Sequence, residues 1–303
     1  MYFPYFRGRQ YDLLALKELV QVKCLSSKVI PVIEPVKMSS TLKSTLKAFE
    51  DNNMPVAVIL NPCVGDVIGT DLFSCITDNA YPSILLEDVN ETVINKIVSE
   101  NYSDRILFIL NNCDCIEKYN DISLEVSPKF VLHPDERMIK RAVIKQRTGG
   151  ILFEDKFNKR AKNAEYLKNV DEFFSDDHLF YQDEGYVGFG DYSIIGEEYF
   201  EGGFKPYAVA IHIVYFADDM TLRIHHFVSD SNSDTDNVAG KFYEALSKLV
   251  EWYRKGYTGK KTYALNTFID YYNKGYYPGL PTIKKLSIMH HLEIVSDFME
   301  KGK

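Results

Sequence analysis

The sequence contains no apolar run approaching the roughly 18 residues that a membrane-spanning helix needs. It opens with no positively charged and then apolar leader, so export is not expected. Cysteine is sparse and odd in number (Cys24, Cys63, Cys75, Cys113 and Cys115), which predicts reduced thiols in a cytoplasmic protein rather than a disulfide framework. Cys113-x-Cys115 lacks the second ligand pair that zinc sites use. Positive charge is in deficit too. A formal net charge of -8 argues against a generally basic nucleic-acid surface, although Arg7-Gly8-Arg9 and Lys284-Lys285 are local exceptions. There is no phosphate-binding Walker loop, no Gly-x-Ser-x-Gly elbow and no His-x-x-x-His pair at helical spacing, so three familiar routes to catalysis have no motif here.

What is present is regular. Short apolar runs, each followed by a polar turn and an amphipathic helical stretch, begin at Phe3, Val29, Val56, Ser83, Ile106, Lys129, Gly150 and Tyr186, most of them about 21 to 27 residues apart. Runs rich in Val, Ile and Leu and too short for helices read as strands buried on both faces. Eight such strands alternating with helices predict an α/β fold, a (β/α)8 TIM-type barrel. An open doubly wound sheet is the rival, but no glycine-rich loop follows the first strand. The pattern breaks after Gly190. Residues 206–228 alternate on either side of Asp218-Asp219 and predict a β-hairpin insertion after the last barrel strand. Helices are expected over 238–254, 263–272 and 281–299. This divides the chain into a barrel with its hairpin, 1–256, and a helical C-terminal extension packed on it, 257–303.

Barrels of this kind place their sites where strands end and βα loops begin. The polar residues there are Arg7, Arg9, Glu34, Asn61, Asp88, Asn111, His133, Glu154 and Asp191. Glu34, His133 and Asp191 are the candidate catalytic set: two carboxylates and an imidazole able to exchange protons. Arg7, Arg9, His225 and His226 are candidate substrate-binding residues. Strand alternation puts His226 with Leu222, Ile224 and Val228, and His225 with Arg223 and Phe227. Glu34, Asp88, Glu154 and Asp191 form a candidate metal set for Mg²⁺ or Mn²⁺, which oxygen ligands favour, under a hydrolase reading only; otherwise no cofactor is expected. Strand ends are polar in any barrel, so each of these groups also has an ordinary role in satisfying loop N–H groups. Gly188-x-Gly190 would let a backbone approach a phosphate, or simply relieve a crowded strand.

The segments Tyr2-Phe-Pro-Tyr-Phe-Arg-Gly-Arg-Gln10, Ile33-Glu-Pro-Val36, Gly188-Phe-Gly-Asp-Tyr-Ser193, Pro206-Tyr-Ala-Val-Ala-Ile-His212, Arg223-x-x-His226-Phe-Val-Ser-Asp230 and Lys284-Lys-Leu-Ser-Ile-Met-His-His-Leu292 carry a resemblance that spans the chain. The sequence resembles a bacterial family known by a locus-tag label, which is similar to the beta-protein family of phage and bacterial genomes. The resemblance implies a barrel, a place in an anti-phage defence or mobile-element module, and a small companion protein encoded by a neighbouring gene. It supplies no catalytic residues. The function expected is therefore partner binding, with a metal-assisted phosphodiesterase or nuclease-like hydrolase acting at the C-terminal rim as the alternative.

Overall fold

The computed structural model describes residues 1–100, 102, 105–200, 202 and 205–302. The chain forms two compact units, one of residues 1–155 and 177–192, the other of residues 156–176 and 193–303.

The first unit is the barrel. Its strands are β1 (Tyr5–Phe6), β2 (Val32–Ile33), β3 (Val56–Ile59), β4 (Ala80–Leu85), β5 (Leu107–Ile109), β6 (Phe130–His133), β7 (Gly149–Phe153) and, after the residues 156–176 that belong to the other unit, β9 (Gly188–Gly190). Each pairs in parallel with its neighbour in sequence order. The ring is closed by the Tyr2–Phe189 bridge and by the N–H groups of Phe3 and Tyr5, which donate to the carbonyls of Phe189 and Asp191 at 2.8 Å. This is a (β/α)8 barrel. Helices α1 (Gln10–Gln21), α2 (Ser40–Asp51), α3 (Glu91–Ser99), α4 (Ile116–Ile122), α5 (Arg137–Lys145) and the short α6 (Asp177–Phe180) belong to the same unit. Ser39 and Asn90 cap α2 and α3 by accepting the backbone N–H groups of Leu42 and Val93 at 3.1 Å, satisfying donors a helix start leaves open.

Strand alternation sorts the side chains into two layers. Phe3, Tyr5, Ile30, Val32, Ala57, Ile59, Leu85, Leu107, Ile109, Phe130, Leu132, Ile151, Phe153 and Tyr192 form one continuous buried cluster, the filling of the barrel. Their sequence neighbours face the helices.

Gly188 and Gly190 have the same parity as Tyr192 and so face inward at the closing seam. A Cβ on Gly190 would lie 2.4 Å from the Phe3 carbonyl oxygen and 3.1 Å from a Phe153 ring carbon. The paired glycines thus serve close backbone approach between β9 and the start of the chain, not a phosphate. Gly190→Ala is expected to force the seam apart and to cost about 1–3 kcal/mol, as overpacking does. Urea unfolding would show this, and an unchanged midpoint would contradict the seam argument.

The second unit is built on an antiparallel sheet ordered β10-β11-β8, with β8 (Asp171–Ser175), β10 (Ala210–Phe216) and β11 (Leu222–Val228). The expected hairpin is β10 and β11; the third strand was not foreseen. Helices α7 (Val238–Gly256), α8 (Tyr263–Lys274) and α9 (Leu280–Lys301) complete it, with α7 and α9 against the hairpin and α8 against both helices. Hairpin and C-terminal helices thus share one core, so the structural division differs from the one expected at residue 256. The two helices beyond residue 256, of 12 and 22 residues, bury little apolar surface by themselves, and the sheet supplies the face they lack.

Candidate functional site

The C-terminal rim of the barrel is organised around Glu34. It follows Ile30 and Val32 on the inward face and is wholly buried. Its carboxylate accepts the Tyr5 phenol at 2.7 Å and the Cys63 backbone N–H at 2.8 Å, and forms an ion pair with Arg7. Arg7 has the same inward parity as Phe3 and Tyr5, and its guanidinium carbon lies 5.1 Å from the Tyr5 ring centre and 5.8 Å from that of Tyr192. The result is a charged, hydrogen-bonded plug above the aromatic filling. Cys63 joins it to the next sector: its thiol donates to Asp88 at 3.0 Å. Burial, the bond to Asp88 and that carboxylate's charge push the thiol up to about 12, so it stays protonated and is no nucleophile near neutral pH. The Asn61 side chain accepts the Leu85 N–H at 3.0 Å and donates to the Leu85 carbonyl at 2.7 Å, clamping β3 to β4.

The other expected residues lie elsewhere. Asp191 and His133 have outward parity. Asp191 is buried and accepts the Tyr2 phenol at 2.8 Å, in the layer where Phe189 stacks on Tyr2. His133 is buried with its ring 5.4 Å from that of Tyr186, and burial holds it below the usual imidazole range. The sheet therefore separates Glu34 from both, and the expected trio of Glu34, His133 and Asp191 is not assembled. A period-two strand decides this: one residue either way moves a side chain through the wall. Glu154 accepts the Asp135 backbone N–H at 3.4 Å. Glu34 and Asp88 meet through Cys63, but with Asp191 behind the wall the four-carboxylate metal set is not gathered. Among the described residues no group of three or more His, Cys, Asp or Glu side chains is placed to hold a metal ion. Arg9 stands immediately before α1, where its carbonyl accepts the Leu13 N–H.

The histidines of the hairpin separate by face as their alternation requires. His225 and Arg223 share a face and share a partner. Asp171 accepts Arg223 Nε at 2.6 Å, the Tyr215 phenol at 2.8 Å and His225 Nδ1 at 3.0 Å. Burial works against this carboxylate, but the three donors hold it below the usual range. His225 also lies 4.3 Å from the Phe227 ring centre and 5.8 Å from that of Trp252. His226 is 1% exposed with both ring nitrogens engaged, Nδ1 with His212 Nδ1 at 2.8 Å and Nε2 with Glu172 at 3.3 Å, so it is an internal strut rather than a substrate contact. Sequence reasoning missed Tyr5, Cys63, Asp171 and Glu172. Tyr5 was legible, two residues before Arg7 on one strand face. Asp171 and Glu172 were not, because their strand pairs with a hairpin some fifty residues away.

No family model and no curated protein matches the sequence. Among solved structures the chain is similar to one described as showing the structural basis of mutual activation of the tryptophan synthase a2b2 complex from the hyperthermophile Pyrococcus furiosus, at 9% identity and a TM-score of 0.39 over 63% of this chain and 87% of that one. Likeness at this level says nothing of chemistry, and the barrel stands on its own strand order and closure.

Proposed function

We propose that this chain is a binding protein rather than a catalyst: a cytoplasmic barrel component of a bacterial anti-phage defence or mobile-element module, of the kind the family resemblance implies, that holds a small companion protein through its second unit. The observation that carries the reading is an exposed tyrosine surface on α7, α8 and the turn that follows α8. Tyr243 and Tyr276 are 42% and 55% exposed. The Tyr243 and Tyr272 rings stack at 5.3 Å, Arg254 lies 5.5 Å from the Tyr272 ring centre, and Tyr276 lies against Tyr271 at 5.2 Å. Tyrosine and arginine are enriched in protein interfaces because each offers a large apolar body with a hydrogen-bonding tip. Many residues here favour contact; on the barrel rim Glu34, Arg7 and Tyr5 are committed to each other.

Co-expression with the product of the adjacent gene tests this. A stoichiometric complex is expected on size exclusion, lost when Tyr243→Glu and Tyr276→Glu are combined while the fold is retained. A chain that stays alone, and that hydrolyses bis-p-nitrophenyl phosphate with Mg²⁺ or Mn²⁺ in a manner abolished by Glu34→Gln, would overturn the reading in favour of the hydrolase. No further observation favours that alternative, because its carboxylates lie on both faces of the sheet.

A further inference from the structure

Beyond partner binding, we propose that the barrel unit carries a site for a small organic cation, an amine or guanidine on an apolar body, in the cleft at the C-terminal ends of β3 and β4. The cleft encloses about 770 Å³ and is lined by Asn61, Cys63, Asp71, Phe73, Asp88 and Lys96, among others. That volume is in the range of small-molecule pockets, and the C-terminal ends of parallel barrel strands are where such folds bind ligands.

The walls are anchored. Asn61 joins β3 to β4 on one side through its pair of bonds to Leu85. On the other side, the loop after β3 is tied to the end of β2. The Asp66 N–H donates to the Val36 carbonyl at 2.8 Å, and Gly65, at φ +82°, lies so close that a Cβ there would be 2.3 Å from the same oxygen. Only glycine accepts both the left-handed backbone and that contact. The cleft is therefore formed before any ligand arrives, which lowers the ordering cost of binding.

Its charge selects the ligand. Lys96 is taken by Asp71 at 2.5 Å and lies 4.4 Å from the Phe73 ring centre. Among the described residues no cation pairs with Asp88, whose Oδ2 is occupied only by the neutral Cys63 thiol. One negative charge thus stands uncompensated in the wall. Asp88 itself is solvent-exposed at the edge of the cleft, and the buried Glu34 is already neutralised by Arg7. Leu60, Ile68, Leu72 and Val93 add an apolar wall, beside the neutral polar groups of Thr70, Asn90 and Thr92. Ile68 stands 62% exposed at the lip, an apolar side chain facing solvent where a ligand would cover it. A bare metal ion would leave this apolar surface unused. An anion would meet Asp88 and Asp71.

The probe is benzylamine, with benzyl alcohol and benzoate as neutral and anionic counterparts and acetyl-lysine-amide as the peptide form of the same charge. Methyl NMR of the full chain should show saturable shifts at Ile68, Leu72 and Val93 with benzylamine. The two counterparts should produce none. Asp88→Asn should weaken binding about fivefold or more, the loss of one charge-assisted contact. Ile68→Trp, at an exposed position, should obstruct the cleft even if the first variant folds poorly. Tyr243→Glu should leave binding unchanged, which separates this site from the partner surface. Equal shifts with benzyl alcohol, no shifts with benzylamine, binding indifferent to both cleft variants, or binding of the lysine amide alone would each overturn the assignment.

Discussion

Replacing Glu34 by alanine is expected to destabilise the barrel by about 3–5 kcal/mol, the cost of breaking a buried ion pair from one side. The carboxylate is wholly buried and Arg7 only 16% exposed, so the arginine cannot exchange its partner for full hydration. The same change deprives the Tyr5 phenol and the Cys63 N–H of their acceptor. Glu34→Gln should cost less, because an amide oxygen still accepts those bonds. The combined change Glu34→Leu with Arg7→Met should recover much of the loss, since no charge is then left without a counter-charge in a dry place. Urea midpoints for the three variants decide the matter. If Glu34→Ala proved as stable as the parent, the rim would not be the plug described, and Glu34 would be free for other work.

The second large effect is a loss of stability in mild acid, centred on the second unit. His290 is fully buried on α9. Its Nε2 donates to the Val214 carbonyl at 2.9 Å, and its Nδ1 faces the Thr262 hydroxyl at 2.7 Å, which also accepts the Leu265 N–H. Burial holds its pKa down to about 4, despite the favourable carbonyl bond. His212 is held down to about 3 by burial and by the charge of His226, and His226 is itself lowered by burial although Glu172 opposes this. These groups fold neutral, whereas an unfolded chain protonates them near the usual value of 6.5. Below that value the unfolded state binds more protons, so stability falls as pH falls toward the folded-state values. For His290 alone the loss between pH 7.5 and pH 5 is about 2 kcal/mol, with His212 and His226 acting in the same direction. Urea unfolding at the two pH values measures it. His290→Gln should flatten the slope even if it lowers stability at neutral pH, and an unaltered slope would refute the assignment.

How much of this was readable in advance differs by element. The eight barrel strands were legible because each is buried on both faces, and a short run such as Val56-Ala-Val-Ile-Leu60 has no other economical place in a folded chain. The hairpin was legible from its alternation around Asp218-Asp219. Helix α5 begins only at Arg137, and Asp135 just before it is taken by the Tyr186 phenol at 2.5 Å and by Lys140 at 3.2 Å. Strand β8 was hidden because Asp171-Glu-Phe-Phe-Ser175 shows no clean alternation. Its two carboxylates bond to opposite faces of the sheet, Asp171 with His225 and Glu172 with His226.

The sequence by itself determined the order of the barrel strands, the parallel sheet and the polar residues at its strand ends, since burial pattern and spacing are local properties of the chain. Which side of the wall each polar residue occupies was decided only by tertiary structure. Closure of the ring turns Glu34 inward onto Arg7 and leaves Asp191 and His133 behind the sheet, and the pairing of β8 with a hairpin distant in sequence supplies Asp171 and Glu172 to His225 and His226. A strand's side chains reverse direction at every residue, so a site at its end is specified only when neighbouring strands have fixed which direction is in.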